Sequence, residues 1–160
     1  MDQIEAVVGN LLREGELNLS VAESCTGGLV GHRITNVPGS SEYFLGGVIS
    51  YSNEAKQELL GVGDQILIDH GAVSRETVEE MAAGVRTRFG ADISVSISGI
   101  AGPGGGTDEK PVGLVWIGLS SPEGGSTRRF VFEGGRQEIK AQAAEAALQL
   151  LHAYLITRSA

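Results

Sequence analysis

The sequence predicts an α/β fold, a three-layer α/β/α sandwich around a mixed, mostly parallel sheet of about five strands. Three observations carry this expectation. Short apolar runs alternate along the chain with stretches of helical period. Two of those runs, "LSVAES" (residues 19–24) and "DISVSISG" (residues 92–99), read as buried or central strands. The alternation then gives way to two strand-like runs joined by "PEGG", a hairpin that makes the sheet mixed.

Each element has its own reason. Ile4, Val7, Val8, Leu11 and Leu12 recur at helical spacing, which predicts a first helix near 2–14. A short buried strand follows at "LSVAES". Leu29, Val30 and Ile34 then predict a helix after a glycine pair. "NVPGSS" is turn chemistry. "FLGGVISYS" (residues 44–52) reads as a second strand weakened by its glycines. "NEAKQELLG" is a short helix capped by Ser52 or Asn53 and stopped by Gly61. Residues 62–73 carry no clear period. Ser74 caps a long amphipathic helix with Val78, Met81, Ala82, Val85 and Phe89 on one stripe, ended by Gly90. After the strand at 92–99 comes the glycine-rich loop "IAGPGGGTDEKPVG". The hairpin strands "LVWIGLSS" and "TRRFVFEG" follow, and a last helix runs from about Arg136 to Leu155.

Composition limits the function classes. At 160 residues the chain is expected to be one domain, 1–160, large enough for a real core. A net charge of −8 argues against nucleic acid as a partner, since no basic field is present to displace counterions. One cysteine rules out an internal disulfide framework, and three histidines without ligand spacing give no metal motif. No apolar run approaches the ~20 residues of a membrane span. "MDQIEAVV" is acidic and amphipathic rather than a secretory signal, so a cytoplasmic location is expected.

The chemistry concentrates at "ESCTGG". Ser24, Cys25 and Thr26 stand where a strand ends and a helix begins, beside backbone N–H groups able to hold a phosphate or an oxyanion. The competing reading is that Ser24 or Thr26 merely caps the helix while Gly27 and Gly28 allow close packing. Other strand ends bring Ser40 and Ser41, then Ser50, Tyr51, Ser52, Asn53 and Lys56, then Ser98, Gly99 and the loop glycines that include Gly102. If these strands run parallel, several ends share one cleft. A serine hydroxyl needs a base, and a desolvated lysine can be one, so Ser24 with Lys56 is a candidate pair. A solvated Lys56 pairing with Glu54 or Glu58 is the alternative. Cys25 is a rival nucleophile without an obvious partner. The glycine-rich loop lacks the Walker order but suits a backbone anion nest. Arg136, at a helix start, is the better ligand candidate among the arginines of the carboxy-terminal half.

"AESCTGG", "PGSSEYF", "YSNEAKQELLGV", "HGAVS", "SISGIAGPGGGTDEKPVG" and "GGRQEIKAQAAEAALQLL" together resemble the CinA carboxy-terminal family, which contains the nicotinamide mononucleotide deamidases. The resemblance runs from about residue 4 to 155 and implies the free-standing deamidase form. It implies hydrolysis of the nucleotide's carboxamide to nicotinate mononucleotide and ammonia, in a homo-oligomer without metal or cofactor. The family's serine–lysine pair falls on Ser24 and Lys56, and its supporting groups on Thr26, Ser41, Tyr51 and Asn53. The expected catalytic set is therefore Ser24, Lys56 and Tyr51. The expected substrate-binding set is Thr26, Gly27, Gly28, Ser41 and Asn53, with Gly102 and Arg136 from the loop and the last helix. A module that binds the nucleotide without turnover, and an amidase for another small amide, remain open alternatives.

Overall fold

Caps and glycines set the helix ends. Ser52 Oγ accepts from the Ala55 N–H at 3.0 Å, and Gly61 takes a left-handed φ of 72° where that helix stops. Ser74 Oγ accepts from the Thr77 N–H, and Gly90 closes its helix at φ 62°. The computed structural model describes residues 2–159. Its elements are α1 (Ile4–Glu14), β1 (Leu19–Glu23), α2 (Leu29–Thr35), a 3-10 turn (Ser40–Glu42), β2 (Phe44–Ile49), α3 (Asn53–Leu60), α4 (Asp64–His70), α5 (Arg75–Phe89), β3 (Ile93–Gly99), β4 (Leu114–Ser121), β5 (Gly124–Val131) and α6 (Arg136–Ser159).

The strands form one sheet in the order β2-β1-β3-β4-β5. β1 pairs in parallel with β2 and β3, while β4 runs antiparallel to both its neighbours, so it alone opposes the other strands. The fold is thus the expected three-layer α/β/α sandwich with a mixed five-stranded sheet. Helices α1, α2 and α6 cover one face, and α3, α4 and α5 the other.

The two faces are held differently. On the α6 side the packing is apolar: Val8 and Leu12 from α1, and Ile139, Ala143, Leu148 and Leu151 from α6, close over Val21, Val95 and Ile117. Each such valine, leucine or isoleucine contributes about 1.5–3 kcal/mol by leaving water. On the α5 side, serines stand among the apolar residues. Ser20, Ser94 and Ser96, all fully buried, donate to the carbonyls of Val85, Ala82 and Val78 along α5. These bonds add only ~1 kcal/mol each, but left unmade they would cost more. Their short side chains let α5 sit close to the sheet. A Cβ on Gly118 would lie 2.7 Å from both Ser96 Oγ and the Val78 carbonyl, so β4 has room only for glycine there.

Several boundaries differ from the sequence reading, among them the last helix, which runs to Ser159 rather than Leu155. The strand expected over 44–52 ends at Ile49. The hairpin turn is Pro122-Glu123 alone, because Ser121 pairs with Gly124; β5 starts at the glycines and stops at Val131. Residues 64–70, where no period was visible, form α4, a helix that buries only Leu67.

Chain direction then creates a crevice. β1 leads through α2 on one face to β2, and β2 leads through α3 on the opposite face. The connections leave adjacent parallel strands in opposite directions, which opens the sheet at their carboxyl ends.

Candidate active site

The period-two alternation of β1 decides what faces where. Leu19 and Val21 point into the α1–α6 core, and Ser20 and Ala22 point toward α5. Glu23 therefore points toward α2, and Ser24, the first residue beyond the strand, toward α3. The Ser24 N–H is held by the Ile97 carbonyl of β3 at 3.0 Å.

On α3, Lys56 is buried at 1% exposure. Its Nζ donates to Ser24 Oγ at 3.0 Å and to the Ser50 carbonyl at 2.8 Å, with the Tyr51 carbonyl at 3.4 Å. No carboxylate lies within ion-pair distance among the described residues. Burial therefore pulls the Lys56 ammonium below the ordinary lysine range. Ser24 is 7% exposed, so the pair as a whole is nearly shut off from solvent. The rival nucleophile is disarmed: burial pushes the Cys25 thiol up to about 11, and its side chain joins the apolar core.

The remaining expected residues divide. Tyr51 was expected as a catalytic residue that either relays the proton between Ser24 and Lys56 or orients the substrate. The residue is 61% exposed, and its hydroxyl accepts from Arg136 Nη2 at 3.0 Å. The cap at Ser52 turns the Tyr51 side chain outward and leaves only its carbonyl facing Lys56. Arg136 Nη1 donates to the Gly102 carbonyl at 2.6 Å, so Tyr51, Gly102 and Arg136 do come together on one rim. Asn53, exposed, opens α3 beside Tyr51 and makes no side-chain hydrogen bond among the described residues.

Ser41 is not brought to Ser24. It precedes β2, so it lies at the amino end of a six-residue strand whose carboxyl end adjoins Glu23, about 20 Å away at ~3.3 Å per residue. Thr26 is buried with its hydroxyl on Glu23 Oε1 at 2.6 Å. The Gly27 N–H donates to the Ser24 carbonyl and the Gly28 N–H to Glu23 Oε1, so the donors expected to meet a substrate there are already engaged. What these glycines supply is backbone shape, with φ of 61° and 107°.

Two residues escaped the sequence reading. Glu23, 2% exposed, gathers the polar groups at the start of α2. Lys140, one turn after Arg136 on α6, brings its Nζ to 3.7 Å from where a Gly27 Cβ would stand. Neither Lys140 nor Arg136 has a carboxylate partner among the described residues. Lys56 and Lys140 therefore flank the turn after β1, with Arg136 on the rim it shares with Tyr51 and Gly102, in a chain of net charge −8.

Sizeable surface cavities lie elsewhere. One of about 510 Å³ is lined by Phe130, Phe132 and Leu150, and one of about 680 Å³ by His70, Glu76 and Trp116. Neither is lined by Ser24 or Lys56, and the buried amine–hydroxyl contact is the stronger pointer to chemistry. Among the described residues no three His, Cys, Asp or Glu side chains are grouped to hold a metal ion. No described helix is long and apolar enough to cross a membrane.

Sheet and site define a class: an open three-layer α/β/α domain with a buried serine–lysine contact at its topological switch point. Within that class, the chain belongs to the CinA family, whose C-terminal domain model matches residues 1–155. It is 54% identical over 150 residues to a putative competence-damage inducible protein of Moorella thermoacetica, covering 94% of this chain and 36% of that protein. It is 55% identical over 151 residues to a CinA-like protein of Chlorobaculum tepidum, again covering 36% of the relative. The chain thus spans little more than a third of the curated relatives it matches. Among solved structures, the competence damage-inducible protein A of Klebsiella pneumoniae superposes with a TM-score of 0.93 at 35% identity, covering 96% of this chain and 95% of that one. The competence/damage inducible protein of Agrobacterium tumefaciens superposes at 0.89 with 39% identity, covering 96% and 98%.

Proposed function

We propose that the chain hydrolyses the carboxamide of nicotinamide mononucleotide to nicotinate mononucleotide and ammonia, with Ser24 as nucleophile and Lys56 as its base. The observation that carries this reading is the 3.0 Å contact between a serine hydroxyl and a buried lysine amine with no carboxylate to hold its proton. Membership of the CinA family, which the sequence motifs link to nicotinamide mononucleotide deamidases, supports the substrate class.

Neutral Lys56 takes the Ser24 proton as Oγ attacks the carboxamide carbon. The carbonyl oxygen becomes an oxyanion. Neither Cys25 nor Thr26 donates its N–H to another described residue, so these two amides, directly after the nucleophile, are the donors available to it. The tetrahedral intermediate collapses, the C–N bond breaks, and Lys56 returns the proton to the departing ammonia. Water then attacks the acyl ester, giving its proton to Lys56, and the carboxylate leaves as Ser24 recovers its hydrogen. Arg136 and Lys140 offer positive charge to the substrate's phosphate. Tyr51, held by Arg136, lines the entrance rather than relaying the proton. The working unit is a homo-oligomer acting on a small-molecule nucleotide in the cytoplasm.

The test is ammonia release by purified protein given nicotinamide mononucleotide. Saturable binding without ammonia would make the chain a binding module. Equal release from simple amides lacking the ribose phosphate would make it a general amidase.

The pH profile follows from Lys56. Its active form is the neutral amine, and burial lowers the pH at which that form appears. The kcat/KM of the enzyme should therefore rise with pH through an apparent pKa below the ordinary lysine range, then level off. Stability has the same sign. Between the lowered folded value and the ordinary one, the unfolded chain binds more protons, so folding gains stability as pH rises across that window. Thermal melts of wild type and Lys56→Met against pH should diverge there, and parallel curves would show Lys56 is not perturbed.

A further inference from the structure

The donors at the start of α2 converge on one carboxylate. Glu23 Oε1 accepts from Thr26 Oγ1 at 2.6 Å, from the Val30 N–H at 2.9 Å and from the Gly28 N–H at 3.2 Å, while Oε2 accepts from the Gly31 N–H at 2.9 Å. No cation pairs with this carboxylate among the described residues. Gly28 occupies the N-cap position and has no side chain to cap with, so the acceptor comes from the end of β1 instead. The same residue is anchored in the sheet on both sides. It pairs with Ile49 of β2 and Ile97 of β3, and its carbonyl accepts from the Ser50 N–H at 2.8 Å.

Glu23 thus joins two fixed bodies, the sheet and α2, and the segment between them is Ser24-Cys25-Thr26. By occupying the Gly28, Val30 and Gly31 amides it removes them as ligands for a substrate. By holding the Thr26 hydroxyl it sets the orientation of the peptide units after Ser24. We propose that Glu23 is the positioning residue of the catalytic turn: it aims Ser24 Oγ at Lys56 and keeps the Cys25 and Thr26 N–H groups directed at the reacting carbonyl oxygen. This rests on the reading of Ser24 as the nucleophile.

A carboxylate is what the arrangement requires. Four donors face its two oxygens, and an amide of the same shape has one acceptor oxygen and an NH2 that would oppose another N–H. Glu23→Gln should therefore loosen the turn without touching the nucleotide's phosphate contacts. Thr26→Val removes one of the four donors, and Thr26→Ser keeps it.

The experiment measures two rates on wild type and these three variants. One is steady-state ammonia release from nicotinamide mononucleotide. The other is phosphonylation of Ser24 by a fluorophosphonate probe, in which Oγ forms a bond to phosphorus, fluoride leaves and the serine proton passes to Lys56. Folding is checked by thermal melting. For folded Glu23→Gln we expect kcat and the phosphonylation rate each to fall ~10²-fold, the scale of a lost oxyanion donor, with KM within about threefold of wild type. Thr26→Val should be roughly tenfold slower than Thr26→Ser in both rates, because only serine keeps the hydroxyl bond to Glu23, a smaller step than Glu23→Gln because three of the four bonds remain. Wild-type rates in folded Glu23→Gln, or a rise in KM alone, would overturn the proposal. If Glu23→Gln does not fold, equal rates for Thr26→Val and Thr26→Ser would overturn it. A wild type that is phosphonylated at Ser24 yet releases no ammonia would sink the substrate reading, and Glu23 would then be judged on phosphonylation alone. A wild-type Ser24 that resists the probe would end the inference along with the nucleophile.

Discussion

Ser24→Ala should lower kcat for ammonia release by ~10³-fold or more while nucleotide binding survives, because the attacking oxygen is gone and the charged rim at Arg136 and Lys140 is untouched. Lys56→Ala should be about as damaging. The 3.0 Å contact makes the two residues one unit, so the double variant should be little worse than either single one. Lys56→Arg should not rescue, since a guanidinium stays protonated and is too large for a fully buried amine's place. Steady-state assays with isothermal titration of the nucleotide would check all four. Near-normal turnover in Ser24→Ala excludes the acyl-enzyme route, and activity in Lys56→Arg excludes lysine as the base.

Gly84→Ala should damage both stability and activity, although it lies in α5, outside the site. In most helix interiors this change stabilises by about 1 kcal/mol. Here the new Cβ would lie 1.8 Å from the Leu60 carbonyl oxygen at the end of α3, so one of the two helices must move. Overpacking of this kind costs about 1–3 kcal/mol, and backbone cannot swing aside as a side chain can, so the collision should outweigh the propensity gain. A net loss of about 1 kcal/mol would lower Tm by about 3 °C in a domain of this size. Because α3 also carries Lys56 one turn before Leu60, kcat should fall in the same variant. An unchanged melting temperature would show that α3 yields freely and would sever this link between packing and catalysis.

What was legible in the sequence was local. The caps at Ser52 and Ser74 and the stops at Gly61 and Gly90 rest on neighbouring residues, and the helices start and stop there. Five strands, their layers and the approach of Ser24 to Lys56 followed from pattern, strand ends and resemblance. α4 was hidden because a seven-residue helix with one buried side chain has no period to detect. The outward turn of Tyr51 and the distance of Ser41 from Ser24 were not legible, because sequence order does not say which way a side chain turns beside a cap, nor at which end of a parallel strand a turn will lie. Glu23 was missed since an acid at a strand end ordinarily faces water. The signal that could have found it is a helix beginning on glycines with no capping side chain, which must borrow an acceptor from elsewhere. Lys140 read as an ordinary surface lysine because only the fold brings the first turns of α6 to Gly27.

The sheet order also has a consequence for how the chain acquires its structure. β4 and β5 are neighbours in sequence, joined by Pro122-Glu123, and their pairing closes a very short loop. β1, by contrast, must find β3 across 74 residues, with Leu19 opposite Ile93, and β2 across about 25. Such distant pairings carry a larger entropic cost before any contact is gained, so they form late. Ser24 hangs from β1 and Lys56 follows β2, which means the dyad is assembled by the slowest-forming part of the sheet. In refolding from denaturant, hairpin amides should gain exchange protection before those of β1, and recovery of activity should track β1 rather than the hairpin.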